Sequence, residues 1–208
     1  MVADFSRERM SGHTHVDWSQ RYRDADTPWD KGATHPELAR RLALGELAPP
    51  RRGARALVPG CGRGHDALAL ARAGWCVTAI DLAPEVRSGL ARKLAALGGE
   101  FVTGDAFAWR TRRRFALVYE HTFFCAIDPL LRPEWGKLVR RVLARGGRVC
   151  AIAFPTNKPR AQGGPPHRMD ASALRAALGP GFRIAANTPA RARTPGREWM
   201  ERWVELRR

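Results

Sequence analysis

The sequence predicts an α/β protein built on a doubly wound, mostly parallel sheet with helices on both faces. Three observations predict it. From residue 54 onward, short apolar runs alternate with segments whose apolar residues recur at helical spacing. The first run ends in a glycine turn, Gly60-x-Gly62-x-Gly64, that opens directly into an Ala/Leu-rich helix. The second run closes on a carboxylate, Asp81. Strands covered on both faces read as continuous apolar runs, as these do.

Residues 1–16 are polar and mixed, which predicts a flexible tail ahead of a single domain over 17–208. Trp18, Tyr22 and Trp29 follow, interspersed with Asp24, Asp26, Pro28, Asp30 and Gly32, a mixture that predicts one short helical turn and then loop. Pro36 starts a helix whose apolar side is Leu38, Leu42 and Leu44. Strand 54–58, helix 65–73, strand 75–80, helix 84–97 and strand 100–103 come next. Strand 115–119, helix 133–144 and strand 147–154 follow. A Gly- and Pro-rich loop over 155–168 leads to helix 170–178, strand 182–186 and a last strand near 199–206.

Of the 208 residues, 44% are apolar, enough for a sizeable core. No run approaches the roughly 20 apolar residues of a membrane span. The first residues lack the basic-then-apolar order of a signal peptide, so a cytoplasmic protein is expected. Cys61, Cys76, Cys125 and Cys150 form no CxxC pair, so neither a metal site nor a disulfide framework is expected. Cys76 and Cys150 fall in strands and read as small buried apolar residues. The formal charge of +16 raises nucleic acid as a partner. Arginine is nevertheless spread along the chain, and its densest cluster, residues 110–114, reads as a solvated loop, so a small-molecule substrate and a monomer are expected instead.

A glycine turn between strand and helix lets a ligand approach the backbone, and an acid some 20 positions on suits a ribose diol. Asp81 stands 21 positions after Gly60. A nicotinamide dinucleotide and S-adenosyl-L-methionine both carry such a ribose. Three features favour the second. The turn is GxGxG, not the GxGxxG that cradles a pyrophosphate. Asp105, Ala106, Phe107 and Trp109 follow the third strand, where an acid and an aromatic wall would meet adenine. Trp18, Tyr22 and Trp29 could face a sulfonium cation.

Residues 27–32 (TPWDKG), 56–71 (ALVPGCGRGHDALALA), 119–135 (YEHTFFCAIDPLLRPEW), 145–155 (RGGRVCAIAFP) and 163–169 (GGPPHRM) together resemble the thiopurine S-methyltransferase family, which includes halide, thiocyanate and thiol methyltransferases. The resemblance implies the class I methyltransferase fold, seven strands with the last antiparallel. It implies that Trp18, Tyr22 and Trp29 cover the cofactor, that Gly60 and Asp81 hold its methionine and ribose parts, and that Asp105 and Ala106 lie near adenine. Gly62, Leu82, Phe107 and His121 complete the implied cofactor contacts. The chain departs from the family at His121, where relatives acting on halide or thiocyanate often have Tyr.

Methyl transfer from a sulfonium is an in-line displacement that asks the protein mainly to position and desolvate. A thiol acceptor gains from a proton acceptor, since thiols titrate near about 8.5 and imidazole near about 6.5. His121, at the end of the fourth strand, is either that acceptor or only a cofactor contact. Phe123, Phe124, Pro165 and Pro166 are expected to wall the acceptor pocket, with at least one of the two phenylalanines packed in the core. Asp66 begins a helix and reads as a charge placed against its dipole. The competing readings are an RNA or DNA methyltransferase and an S-adenosylmethionine-binding protein without transfer activity. After the fourth strand, the sequence YEHTFF lacks the polar-Pro-Pro-aromatic corner that grips a flipped base.

Overall fold

The computed structural model describes residues 16–87 and 89–208; of the tail expected over 1–16, all but residue 16 lies outside the described residues. Two short helices lead in, α1 (Trp18–Arg23) and α2 (Pro36–Ala43). The alternating part runs β1 (Arg55–Pro59), α3 (His65–Arg72), β2 (Cys76–Asp81), α4 (Leu90–Ala96), β3 (Glu100–Thr103) and β4 (Phe115–His121). It continues with α5 (Arg132–Val142), β5 (Leu143–Ala153), α6 (Ala171–Leu178), β6 (Arg183–Pro189) and β7 (Arg202–Arg207). The seven strands form one sheet in the order β3-β2-β1-β4-β5-β7-β6. Its pairs are parallel except for β7, which inserts antiparallel between β5 and β6.

Strand alternation builds a core on each face. Phe115 and Val118 of β4 and Val149, Ala151 and Ala153 of β5 point to one side, against Trp135, Leu138 and Leu174. Leu117, Tyr119, Cys150 and Ile152 point to the other, against Leu38, Leu70, Trp75 and Trp203. Cys150 is buried as expected, whereas Cys76 is only half-buried. Leu38 is fully buried on the apolar side of α2, but Leu44 falls past the end of that helix and is exposed.

Two elements differ from expectation, each for a backbone reason. The helix expected over 84–97 divides into a 3-10 turn, Pro84–Arg87, and α4. Gly89 adopts φ 74°, outside the right-handed helical region, and Leu90 is thereby laid over the glycine turn. The helix expected to reach 144 stops at Val142, because Leu143 is extended and pairs with Phe115. The fifth strand therefore begins four residues early. Among the described residues, no helix is long and apolar enough to cross a membrane.

Candidate active site

The strand order reverses direction between β1 and β4, and in open α/β sheets ligands bind beyond the strand ends at such a switch. A cavity of about 900 Å³ lies there, lined by the glycine turn, the ends of β2 and β4, the α1 region and residues 194–199.

Its floor is the turn after β1. Gly60, Gly62 and Gly64 have φ of 59°, 52° and 80°, a region where L side chains are strained. A Cβ on Gly60 would stand 2.4 Å from Phe123 Cδ2, and one on Gly64 2.3 Å from Leu90 Cδ1. Asp81 pins the turn to β2: its Oδ2 accepts from Gly62 N at 2.8 Å and its Oδ1 from Ala83 N at 3.0 Å. Burial raises the pKa of Asp81 above the usual carboxylate value, although these backbone bonds oppose the shift. Leu82 N adds a third backbone bond, and a carboxylate with about four acceptor sites keeps one beyond these three.

All three expected aromatic residues line the cavity. Asp17 caps α1 through Gln20 N, and Arg23 ties the helix to Glu85 at 2.7 Å. Trp29 stands edge-on to Trp18 and Tyr22, with centroids 5.3 and 5.8 Å apart. These rings already carry cations: Arg21 lies 4.6 Å over Trp29 and Arg63 lies 5.5 Å over Tyr22. Farther round, Leu82, Asp105, Ala106 and Phe107 line the wall. Leu82 is 47% exposed, and Asp105 Oδ1 accepts from Phe107 N at 2.8 Å, fixing the turn after β3.

His121, Phe123, Pro165 and Pro166 line the cavity too, with Phe123 5.7 Å from Phe107. Phe124 is the exception among the expected acceptor residues. It is fully buried against Trp135 at 4.9 Å, so it is a core residue rather than a pocket wall. Beside it, the buried Glu120 accepts from Phe124 N through Oε1 at 2.9 Å. Burial pushes the Glu120 carboxyl up to about 8.

His121 is held by residues far away in sequence. Its Nδ1 lies 2.8 Å from Asp66 Oδ2, and its Nε2 lies 3.2 Å from Arg197 Nη2. A guanidinium can only donate, so Nε2 is the acceptor and Nδ1 carries the proton toward Asp66. Burial lowers the pKa of His121, against the pull of Asp66, and keeps the ring neutral. Burial opposes the charge on Asp66 too, but the bonds from His121 and from His35 N, the latter 2.8 Å away, hold its pKa below the usual carboxylate range. His35 packs edge-on against His121 at 4.8 Å, with its Nε2 3.2 Å from Glu201 Oε1. Glu201 also receives Arg197 Nη1 at 2.6 Å and Thr194 N at 2.9 Å. Asp66, His35, Arg197 and Glu201 were missed in the sequence. Asp66 reads there as an ordinary helix-start acid, and the other three sit in segments with no motif. Among the described residues, no group of three or more His, Cys, Asp or Glu could hold a metal ion.

A Rossmann-like sheet with its glycine turn, strand-end acid and aromatic cover is the frame of an S-adenosylmethionine-dependent methyltransferase. Solved structures share it: a Burkholderia thailandensis 1,6-didemethyltoxoflavin-N1-methyltransferase with bound S-adenosylhomocysteine matches with a TM-score of 0.72 at 22% identity, over 92% of this chain and 85% of that one. A magnesium protoporphyrin IX methyltransferase from Synechocystis with bound S-adenosylmethionine matches with a TM-score of 0.59 at 20% identity, over 96% of this chain and 88% of that one. The chain belongs to the thiopurine S-methyltransferase family, whose model matches residues 13–205. A probable thiol methyltransferase 2 of Arabidopsis thaliana is 31% identical over 96% of this chain and 89% of its own length. Thiocyanate methyltransferase 1 of the same plant is 32% identical over 91% of this chain and 84% of its own length.

Proposed function

We propose that this chain methylates the sulfur of a small thiol, thiopurine, thiocyanate or hydrosulfide, or a halide, with His121 as the proton acceptor when the acceptor arrives as a thiol. One observation carries the reading: the Asp66–His121 pair forms part of the same cavity wall system as the glycine turn. A neutral imidazole with its basic nitrogen turned away from its carboxylate can take a proton, and Asp66 then balances the imidazolium.

The residues present fit the cofactor. Leu82 leaves apolar surface at the cavity mouth for a purine to cover, Asp81 keeps acceptor capacity beside the turn, and Trp18, Tyr22 and Trp29 offer a lid. Gly60, Gly62 and Asp81 would hold the methionine and ribose parts, and Leu82, Asp105, Ala106 and Phe107 the adenine. When bound, S-adenosylmethionine supplies a methyl group already activated by its sulfonium.

The chain's own work is placement. Phe123, Pro165 and Pro166 exclude water from the acceptor side, and alignment of two bound reactants lowers a barrier by roughly 7–11 kcal/mol. Asp66 holds the proton on Nδ1, which leaves Nε2 to accept one. We place the reaction in the cytoplasm, on the support of four free cysteines in the chain.

The test is incubation with labelled S-adenosylmethionine and iodide, thiocyanate, hydrosulfide, an aromatic thiol, a thiopurine or bulk RNA. Transfer to one or more of the small soft acceptors is expected. Transfer to RNA alone, or to nothing, overturns the reading.

A further inference from the structure

The cavity contains a cation that no sequence motif announces. Arg197 stands on the segment before β7, with a side chain only 7% exposed. Its guanidinium lies 4.2 Å over the ring of Phe154, and both residues line the cavity. Of the other lining cations, Arg21 and Arg63 lie against the aromatic cluster and pair with Asp26 and Asp30, and Lys31 follows Asp30 in the same loop. Arg197 instead meets His121, on the acceptor side.

Its charge is incompletely matched. Glu201 is the carboxylate on Nη1, but the same carboxylate group also serves His35 and Thr194 N. The partner of Nη2 is a neutral imidazole nitrogen, which offers a dipole where a guanidinium prefers an anion. The side chain is almost wholly buried, with one face covered by Phe154, so little water would screen a charge placed on its edge. A weakly hydrated guanidinium stacked on an aromatic ring suits a weakly hydrated, soft anion better than a hard one.

Resting on the acceptor class proposed above, we infer that Arg197 is the acceptor's anion-binding residue, taking a soft monovalent anion (thiolate, thiocyanate, hydrosulfide or halide) on the guanidinium edge that now faces His121. The anion replaces Nε2 as the partner of Nη2 and lies beside it. A neutral thiol instead gives its proton to Nε2 as the bond from Nη2 breaks, the thiolate so formed takes the freed Nη2, and Asp66 balances the imidazolium; an acceptor that is already an anion needs only Arg197. The two residues divide the acceptors by charge state.

The test uses the full chain saturated with S-adenosylhomocysteine, titrated with sodium thiocyanate and followed by calorimetry. Saturable binding is expected for the natural chain. Arg197→Met is expected to weaken it by about ten- to a hundredfold, the range of a charge-assisted hydrogen bond, with S-adenosylhomocysteine affinity unchanged. Arg197→Lys is expected to restore part of the loss, and His121→Phe to leave thiocyanate binding in place. The inference is overturned if the natural chain binds no thiocyanate, if Arg197→Met binds it as well as before, or if Arg197→Met loses S-adenosylhomocysteine to the same degree. Failure of methyl transfer to every acceptor would sink the functional reading instead, and the titration still decides the anion site.

Discussion

Asp66 Oδ2 and His121 Nδ1 lie 2.8 Å apart although 55 residues separate them, one at the start of α3 and the other at the end of β4. The pair straddles the switch in the sheet, where β1 leads through the glycine turn into α3 and β4 lies alongside β1. A carboxylate on one imidazole nitrogen fixes the tautomer and leaves the other as an acceptor, here facing Arg197 Nη2.

Asp66→Asn removes that fixing. Transfer to a thiol is expected to fall about a hundredfold, the order seen for loss of general base catalysis, and transfer to thiocyanate far less. Steady-state rates with the two acceptors from pH 6 to 9 check this. Equal losses for both would show that Asp66 serves the fold rather than the proton.

Gly60→Ala forces a side chain into a positive-φ position and against Phe123. A loss of roughly 1–3 kcal/mol is expected from strain and overpacking, together with weaker S-adenosylhomocysteine binding. Pairing it with Phe123→Ala relieves the collision but not the backbone strain. The double variant should therefore be more stable than the two separate losses predict, which chemical denaturation measures.

Glu120 gives a pH signature with a definite sign. Its pKa is raised from 4.5 to about 8 in the folded chain, so the protonated form is the one folding favours. The associated stability is complete below pH 4.5 and is lost as pH rises through about 8. Glu120→Gln keeps a neutral acceptor for Phe124 N. The variant should match the natural chain near pH 5 and melt at a higher temperature near pH 9; a natural chain that melts higher at pH 9 would contradict this.

Trp29→Ala separates a charged from an uncharged ligand. If the lid faces a sulfonium, affinity for S-adenosylmethionine should drop about two- to thirtyfold more than for S-adenosylhomocysteine, the span of a cation–π contact of about 0.5–2 kcal/mol. Equal losses would mean that Trp29 only supports Arg21, which already lies over its ring.

The glycine turn, Asp81 and the order of strands were legible because each depends on local chemistry: positive φ, a strand-end acid, apolar runs. Asp105, Trp18, Tyr22 and Trp29, read from position along the same pattern, do line the cavity. What was hidden depends on long-range packing. Asp66 looks like any acid in a helix's first turn until β4 places His121 against it. Arg197 is one arginine among many in a chain of net charge +16, and only its burial beside Phe154 distinguishes it. Phe123 and Phe124 are identical in sequence terms, and only the packing of Phe124 against Trp135 and of Phe123 against Gly60 divides them into core and wall. Gly89 was visible, but its power to end a helix was not read.

The insertion of β7 between β5 and β6 bears on how the molecule is made. The ribosome delivers the glycine turn well before Arg197 and Glu201, and β6, which pairs only with β7, cannot join the sheet until β7 has seated against β5. A nascent chain halted near residue 180 would hold the glycine turn and β4 but lack residues 194–199 of the cavity lining. Assembly of a competent site should then track the slow, nonlocal closing of that last strand rather than the quick formation of the first half.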